Sequence, residues 1–141
     1  MIPVHDSAIQ GLIVAGIGCD RQASVTEMQA LLQDCLRIAR IDPGRLQALA
    51  TVELKADEPG LLALAERLNL PLKVFSVAVL EAQTPRLATP SAAVFRAIGC
   101  HGVAEAAALA AVGPSGQLLL PKQRSARATC ALAISAATAF V

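Results

Sequence analysis

"GLIVAGIGC", residues 11–19, is the stretch that decides the fold. It is a short apolar run, rich in branched residues and ending in glycines, which is typical of a strand buried on both faces of a sheet. In "SVTEMQALLQDCLRIAR", which follows a polar loop, apolar residues recur at helical spacing and form one stripe. Ser24 and Glu27 stand three residues apart at its start, which predicts a capping box in which each side chain bonds the other residue's amide. A buried strand followed by an amphipathic helix predicts an α/β fold.

The rest of the chain continues this alternation. Further strands are predicted at residues 46–54, 72–77, 116–121 and 128–135, and further helices at residues 59–70, 91–98 and 103–112. Only the polar loop "KQRSAR" separates the last two strands, so a hairpin at the edge of the sheet is expected. We therefore expect a single three-layer α/β/α domain, residues 1–141, around a mostly parallel, mixed sheet of about five strands.

The composition argues against several classes of partner. Aromatic residues make up 2% of the chain and the formal net charge is +1, so neither the stacking platforms nor the basic surface of a nucleic-acid binder is present. The four cysteines show no CxxC spacing, which predicts reduced thiols in a cytoplasmic protein, no metal site and no cofactor. Residues 1–10 lack the basic start of a signal peptide, and "CALAISAATAFV" is shorter than the ~20 residues that span a bilayer, so no membrane association is expected.

The first candidate site is "GIGCDRQAS", where the first predicted strand meets the first predicted helix. Gly16 and Gly18 can let backbone N–H groups converge, and a helix N-terminus favours an anion. The spacing departs from the dinucleotide-binding fingerprint because Arg21 stands where the third glycine would be. Two interpretations stay open. The glycines form only a tight turn with Cys19 as a small apolar filler, or the turn and Arg21 receive an anionic group such as a carboxylate.

The second candidate site is "TVELKADEPG", which follows the second predicted strand. In an extended strand Glu53 and Lys55 would point to the same face, and α/β proteins place ligand contacts at the carboxyl ends of strands. Asp57 or Glu58 can cap the helix that begins near Pro59, which accounts for these two acids without a function. Capping leaves Glu53 and Lys55 unexplained, and a partly exposed ion pair contributes only ~0–1 kcal/mol to stability.

The third candidate site is "PKQRSARAT", between the last two predicted strands. Positive charge is concentrated there by Lys122, Arg124 and Arg127. Hydrogen-bonding groups are added by Gln123, Ser125 and Thr129, although composition alone favours a solvated hairpin tip. No serine has the G-x-S-x-G setting of a nucleophile, and a loop histidine such as His101 is more often structural than catalytic. The sequence therefore indicates three strand-end loops that could bind a polyanion together.

Four segments, in this order, carry a resemblance to a known family: "GIGCDRQAS", "ALATVELKADEPGLLALAERLNLPL", "GVAEAAALAA" and "LLLPKQRSARATCALA". They resemble the cobalamin-biosynthesis family formed by CobE and the C-terminal domain of CbiG, over about residues 11–134. Because the chain contains only this module, the resemblance is to the standalone CobE form of the aerobic pathway. The third loop departs from the family's P-K-Q-K-S pattern at Arg124, which keeps the charge but offers a planar fork instead of a point charge. His101 stands where a proline is common, so no family role is carried over to it.

The resemblance implies a ligand more firmly than a reaction. CbiG-type proteins open a δ-lactone on a cobalt-precorrin and release a two-carbon fragment, whereas CobE-like proteins are expected to bind or hand on a corrinoid. A precorrin or hydrogenobyrinic acid-type ring bears several carboxylates and needs an apolar floor with cations on its rim. The residues expected to bind it are Gly16, Gly18, Cys19, Arg21, Glu53, Lys55, Lys122, Gln123, Arg124 and Ser125.

Two other functions stay open. An enzyme that hydrolyses a precorrin lactone or isomerises a precorrin would use Glu53 or Asp57 as acid or base and Lys55 to stabilise an oxyanion. A structural partner of other cobalamin-pathway enzymes would use its alanine-rich helix faces instead. The ligand-binding hypothesis makes one geometric demand, which is that Lys55, Lys122 and residues 16–21 line a single cleft.

Overall fold

The computed structural model describes residues 11–136, and its elements follow the alternation expected from the sequence. The strands are β1 (Ile13–Cys19), β2 (Leu46–Val52), β3 (Leu72–Phe75), β4 (Gln117–Arg124) and β5 (Ala128–Ile134). The α-helices are α1 (Val25–Ala39), α2 (Pro59–Leu68), α3 (Val77–Glu81), α4 (Ala92–Ile98) and α5 (Ala104–Val112). Single-turn 3-10 helices lie at Pro43–Arg45, Glu53–Lys55 and Thr84–Arg86.

The sheet is mixed, with the strand order β3-β2-β1-β5-β4. Strands β1, β2 and β3 are parallel to one another, and β5 is antiparallel to both of its neighbours, β1 and β4. The predicted hairpin of the last two strands is confirmed, and β4 forms one edge of the sheet. Because β5 runs against β1, its first residue, Ala128, pairs with Cys19 at the end of β1. The ends of β1 and β2 and the β4–β5 turn therefore meet at one edge.

Helices cover both faces of the sheet. Alternate residues of β1 enter two hydrophobic cores: Ile13, Ala15 and Ile17 pack with α1 and α2, and Val14 packs on the other face with α5. The prediction that β1 is buried on both faces is confirmed. The alanines of α5 from 106 to 108 are fully buried against the sheet, so this helix does not offer the alanine-rich interface that the structural-partner hypothesis requires.

The two glycines of β1 serve packing rather than a turn. Both lie within the strand and neither has a positive φ, so the tight-turn interpretation was wrong. A Cβ at Gly16 would overlap the carbonyl oxygen of Ala104 and lie 2.8 Å from the Ala108 amide nitrogen. A Cβ at Gly18 would lie 2.6 Å from the Thr129 hydroxyl. Residue 16 therefore sets how closely α5 approaches the sheet.

The start of α1 confirms half of the predicted capping box. The Ser24 hydroxyl oxygen accepts the Glu27 amide at 3.0 Å. The Glu27 carboxylate does not reach back to Ser24, however. It accepts the Ser125 hydroxyl and, at 2.7 Å, the amide N–H of Arg127. The acid that the sequence assigns to a helix cap instead fixes the β4–β5 turn, because the fold brings that turn beside the first turn of α1.

The second strand is shorter than predicted. It ends at Val52, and Glu53–Lys55 forms a single 3-10 turn that reverses the chain before α2 begins at Pro59. A 3-10 helix has three residues per turn, so Glu53 and Lys55 do not share a face as they would in a strand. Glu58 holds the N-cap position of α2 without a side-chain capping bond, and its carboxylate lies 3.9 Å from Lys55 Nζ.

Two other boundaries differ from the prediction. Strand β3 stops at Phe75 because the Ser76 hydroxyl accepts the Val79 amide at 3.1 Å and starts α3, a helix that the sequence pattern did not indicate. Strand β4 continues through Arg124, so Lys122 and Gln123 lie in a strand instead of a loop.

Within residues 11–136 no helix is long and apolar enough to cross a membrane. The signal-peptide prediction concerns residues 1–10, which lie outside the described range.

Candidate functional site

A cleft of about 520 Å³ opens where the three loops meet at the edge of the sheet. The end of β1 contributes Gly18, Cys19 and Asp20, and the end of β2 with its 3-10 turn contributes Val52, Leu54 and Lys55. The β4–β5 hairpin and one face of α4 complete the wall. The parallel arrangement of β1 and β2, with β5 running against β1, is what places these segments together.

One side of the cleft is cationic. Lys55, Lys122, Arg124 and Arg127 line it. Arg127 lies 3.1 Å from the carboxylate of Asp20, and Lys55 is paired with Glu58. Among the described residues, no carboxylate lies within ion-pair distance of Lys122 or Arg124. These two cations are thus available to an anionic group that enters the cleft.

The other side of the cleft is apolar. Helix α4 presents Ala93, Val94, Ala97 and Ile98 to the cleft, and these positions lie on one face of a helix. Leu54, on the 3-10 turn after β2, lines the cleft with 57% of its surface exposed. A large apolar residue that faces solvent inside a cleft is typical of a ligand-binding surface.

Glu105, near the start of α5, is a cleft residue that the sequence interpretation missed. Glu105 is 2% exposed, and its carboxylate accepts four hydrogen bonds: from the amides of Ala88 (2.9 Å), Thr89 (3.0 Å) and Lys122 (2.8 Å), and from the Thr89 hydroxyl (2.9 Å). Burial acts to raise the pKa of Glu105, but the hydrogen bonds from Lys122, Thr89 and Ala88 outweigh it and hold the pKa below its usual value. The group is therefore an ionised acceptor that joins the segment before α4 to β4.

Cys19 lies in the cleft as a protonated thiol. Burial raises the pKa of Cys19 to about 11, with Glu58 and Asp20 adding to the effect and Lys55 opposing it. A thiol with so high a pKa is a poor nucleophile at neutral pH because only the thiolate attacks. Cys19 thus contributes a small, weakly polar surface. As expected, all four cysteines are free.

The structure brings together six of the residues expected to bind the ligand and leaves four outside the cleft. The cleft is lined by Gly18, Cys19, Lys55, Lys122, Arg124 and Ser125. Gly16 is buried beneath α5, Arg21 and Glu53 are exposed outside the lining, and the Gln123 amide donates to Pro121 O at 3.1 Å. Asp57, a candidate catalytic acid, is also exposed outside the lining.

His101 has a structural role. Its backbone N–H donates to Glu81 Oε1 at 2.9 Å, its Nδ1 lies 2.9 Å from Glu81 Oε2, and its ring stacks on Phe95 with the ring centroids 4.4 Å apart. These hydrogen bonds hold the pKa of Glu81 below its usual value. The histidine thus ties the end of α4 to α3.

In the described part of the chain, no group of three or more potential metal ligands comes together.

The chain matches a known protein family over most of its length. The family model described as cobalamin synthesis G C-terminus matches residues 13–133. The chain belongs to this family, and it is a cobalamin-biosynthesis protein. Protein CobE of Sinorhizobium sp is 43% identical over 121 residues, which cover 86% of this chain and 79% of that relative. A crystal structure of CobE, from the cobalamin (vitamin B12) biosynthetic pathway, superposes with a TM-score of 0.86 at 41% identity, and the match covers 93% of this chain and 95% of that one.

Longer members of the family also match. Cobalt-precorrin-5A hydrolase of Priestia megaterium is 31% identical over 123 residues, which are 87% of this chain but 32% of the hydrolase. This chain therefore spans about a third of that relative. The expectation from the four sequence segments, that the chain resembles CobE and the C-terminal part of CbiG, is confirmed.

Proposed function

We propose that this protein binds a corrin-ring intermediate of the precorrin or hydrogenobyrinic acid type in the cleft and hands it on within the aerobic, cytoplasmic pathway. The observation that carries the proposal is that Lys122 and Arg124, which have no ion-pair partner within residues 11–136, share one cleft with an apolar wall. A corrin precursor has the complementary chemistry, since a flat, largely apolar ring carries acetate and propionate groups at its edge.

The chemistry of the cationic side supports recognition of carboxylates. Arg124 offers a planar fork that can hold a carboxylate through two parallel N–H bonds, and Lys122 offers a compact charge. Each charge-assisted contact is worth about 1.5–3 kcal/mol when shielded from water and less at an exposed rim. Two such contacts are enough to make binding depend on ionic strength.

Titration with hydrogenobyrinic acid tests this proposal. We expect saturable binding that weakens as salt is added, because the charges lie at a solvent-accessible rim. The double variant Lys122→Ala, Arg124→Ala should bind at least about tenfold more weakly, which corresponds to about 1.4 kcal/mol. The matched control is Lys73→Ala, because Lys73 is an exposed lysine on β3 outside the cleft. Absence of saturable binding, or equal losses in the double variant and the control, would contradict the proposal.

A second candidate is catalysis on a precorrin, which the hydrolase relatives favour. The cleft gives it less support. Glu53 and Asp57, the proposed acid or base, lie outside the lining, and the two carboxylates that line the cleft, Asp20 and Glu105, have pKa values held below their usual range by hydrogen bonds. A general acid needs a raised pKa. Turnover of purified cobalt-precorrin-5A by this chain alone, followed chromatographically, would favour this candidate over simple binding.

A further inference from the structure

We infer that α4 is the element that recognises the flat apolar face of the bound ring, with Ala93 and Ala97 keeping this wall flat enough to receive it. The inference rests on the proposed function and adds to it a division of roles. The β4–β5 hairpin would bind the acidic side chains of the ligand, and α4 would bind the macrocycle itself.

The first observation is that α4 is apolar without being buried. Its sequence is AAVFRAI, so Arg96 is its only charged residue, yet none of its side chains is buried. The cleft-facing alanines 93 and 97 are exposed, and Val94 and Ile98 are half-buried. A helix of this composition normally gains its stability from a core. In α4, Ile98 packs partly against the core, but the exposed Ala93 and Ala97 line the cleft instead.

The second observation is that α4 is held in place by polar contacts, by ring stacking and by Ile98, which packs partly against the core that contains α5. The Ser91 hydroxyl caps its start by accepting the Val94 amide at 3.2 Å, and the Ser91 amide donates to His101 O at 2.7 Å. Phe95 stacks on His101, which is bound to Glu81. On the N-terminal side, Glu105 holds the backbone amides just before the helix. The helix is therefore fixed in position, and Ala93 and Ala97 stay exposed in the cleft.

The third observation is that charge is segregated within the cleft. The four lining cations all come from the 3-10 turn and the hairpin, and Arg96 of α4 does not line the cleft. At Ala93 and Ala97 the wall projects only methyl groups, so a flat ring can lie close to the helix backbone. This arrangement complements a macrocycle that carries its anionic groups on the edge away from α4.

Two matched substitutions on α4 test the inference. Ala97→Phe adds a bulky ring to the cleft face, and Ala92→Phe adds the same ring at an exposed position that does not line the cleft. With hydrogenobyrinic acid as the probe, we expect Ala97→Phe to weaken binding at least about tenfold and Ala92→Phe to leave it unchanged. The loss in Ala97→Phe should persist at high salt, whereas the loss in Lys122→Ala should shrink, because steric exclusion is not screened by ions.

Hydrogen exchange on the wild-type protein gives an independent measurement if Ala97→Phe fails to fold. Saturating probe should slow exchange at the amides of α4 after its first turn. Unchanged affinity in a folded Ala97→Phe variant, or unaltered exchange in α4 when the wild type is saturated, would overturn the inference and leave the proposed function standing. A wild-type protein that does not bind the probe at all would overturn both, so the two failures are distinguishable.

Discussion

The carboxylate of Glu105 accepts the backbone N–H of Lys122 at 2.8 Å, and through this bond α5 fixes β4, the strand that carries Lys122 and Arg124. The same carboxylate accepts the amides of Ala88 and Thr89, just before α4. A single buried acid therefore joins the apolar side of the cleft to its cationic side. The relative position of the two sides depends on Glu105 remaining ionised and in place.

Replacing Glu105 by Gln should destabilise the protein by about 2–4 kcal/mol, because all four of its partners are donors. The NH₂ group of a glutamine would have to face at least one of these donors, which leaves buried hydrogen-bonding groups unsatisfied. Urea unfolding followed by circular dichroism should show a lower midpoint with an unchanged slope. Glu66→Gln, on the exposed surface of α2, is the matched control and should stay within about 0.5 kcal/mol of the wild type. A Glu105 variant as stable as this control would refute the role given to the carboxylate.

The contribution of Glu105 to stability should disappear in acid. Its pKa in the folded protein lies below the value of about 4.3 that a glutamate has in an unfolded chain. The stabilisation is thus fully present above that unfolded value and is lost as the pH falls through the folded pKa. We expect the difference in unfolding free energy between wild type and Glu105→Gln to be constant from pH 7 to about pH 5 and to shrink towards pH 3. A difference that does not change down to pH 3 would show that the carboxylate's charge is not responsible.

The fold could be predicted from the sequence because its signals are local. The apolar run of β1, the stripe along α1 and the short polar loop before β5 each depend on residues close together in the chain. The site was predicted only in part because its other contacts join residues that are far apart in the sequence. Glu105 looks like a surface acid in an alanine-rich helix, and its donors lie 16 and 17 positions away. The 3-10 turn after Val52 could not be predicted either, because "TVELK" is equally compatible with a longer strand. The turn is required only because the chain leads from β2 into α2.

Replacing Glu27 by Ala should loosen the β4–β5 turn without unfolding the domain. The carboxylate of Glu27 accepts the Ser125 hydroxyl and the Arg127 amide, about a hundred positions away in sequence. Without it, exchange of the Arg127 amide should accelerate about tenfold or more, because its hydrogen-bond acceptor is gone. Thr26→Ala, at the exposed neighbouring position, is the control and should leave exchange in the turn unchanged. Equal exchange rates in the two variants would mean that the turn is held by its own strand pairing alone.

Replacing Gly16 by Ala should cost at least about 3 kcal/mol, near the upper end of the range for overpacking a core. The new methyl group would overlap the Ala104 carbonyl oxygen and lie 2.8 Å from the Ala108 nitrogen, and both atoms belong to the backbone of α5 and cannot rotate away. Gly44→Ala is the control, because the nearest atom to its added Cβ would be 3.3 Å away on the exposed Asp42 side chain. Thermal unfolding of the two variants compares them directly. Tolerance of alanine at position 16 would show that α5 can shift on the sheet.

The thiol of Cys19 should react slowly at neutral pH although it lines an open cleft. Burial raises its pKa to about 11, so the thiolate fraction at pH 7.5 is far below the few per cent or more of an ordinary thiol. We expect its alkylation by iodoacetamide, mapped by mass spectrometry of peptides, to rise about tenfold per pH unit between pH 8 and pH 10. Cys35, Cys100 and Cys130 are buried and provide an internal control, since they should react only after unfolding. A rate for Cys19 that levels off near pH 9 would contradict the raised pKa and would make the thiol available as a nucleophile in the cleft.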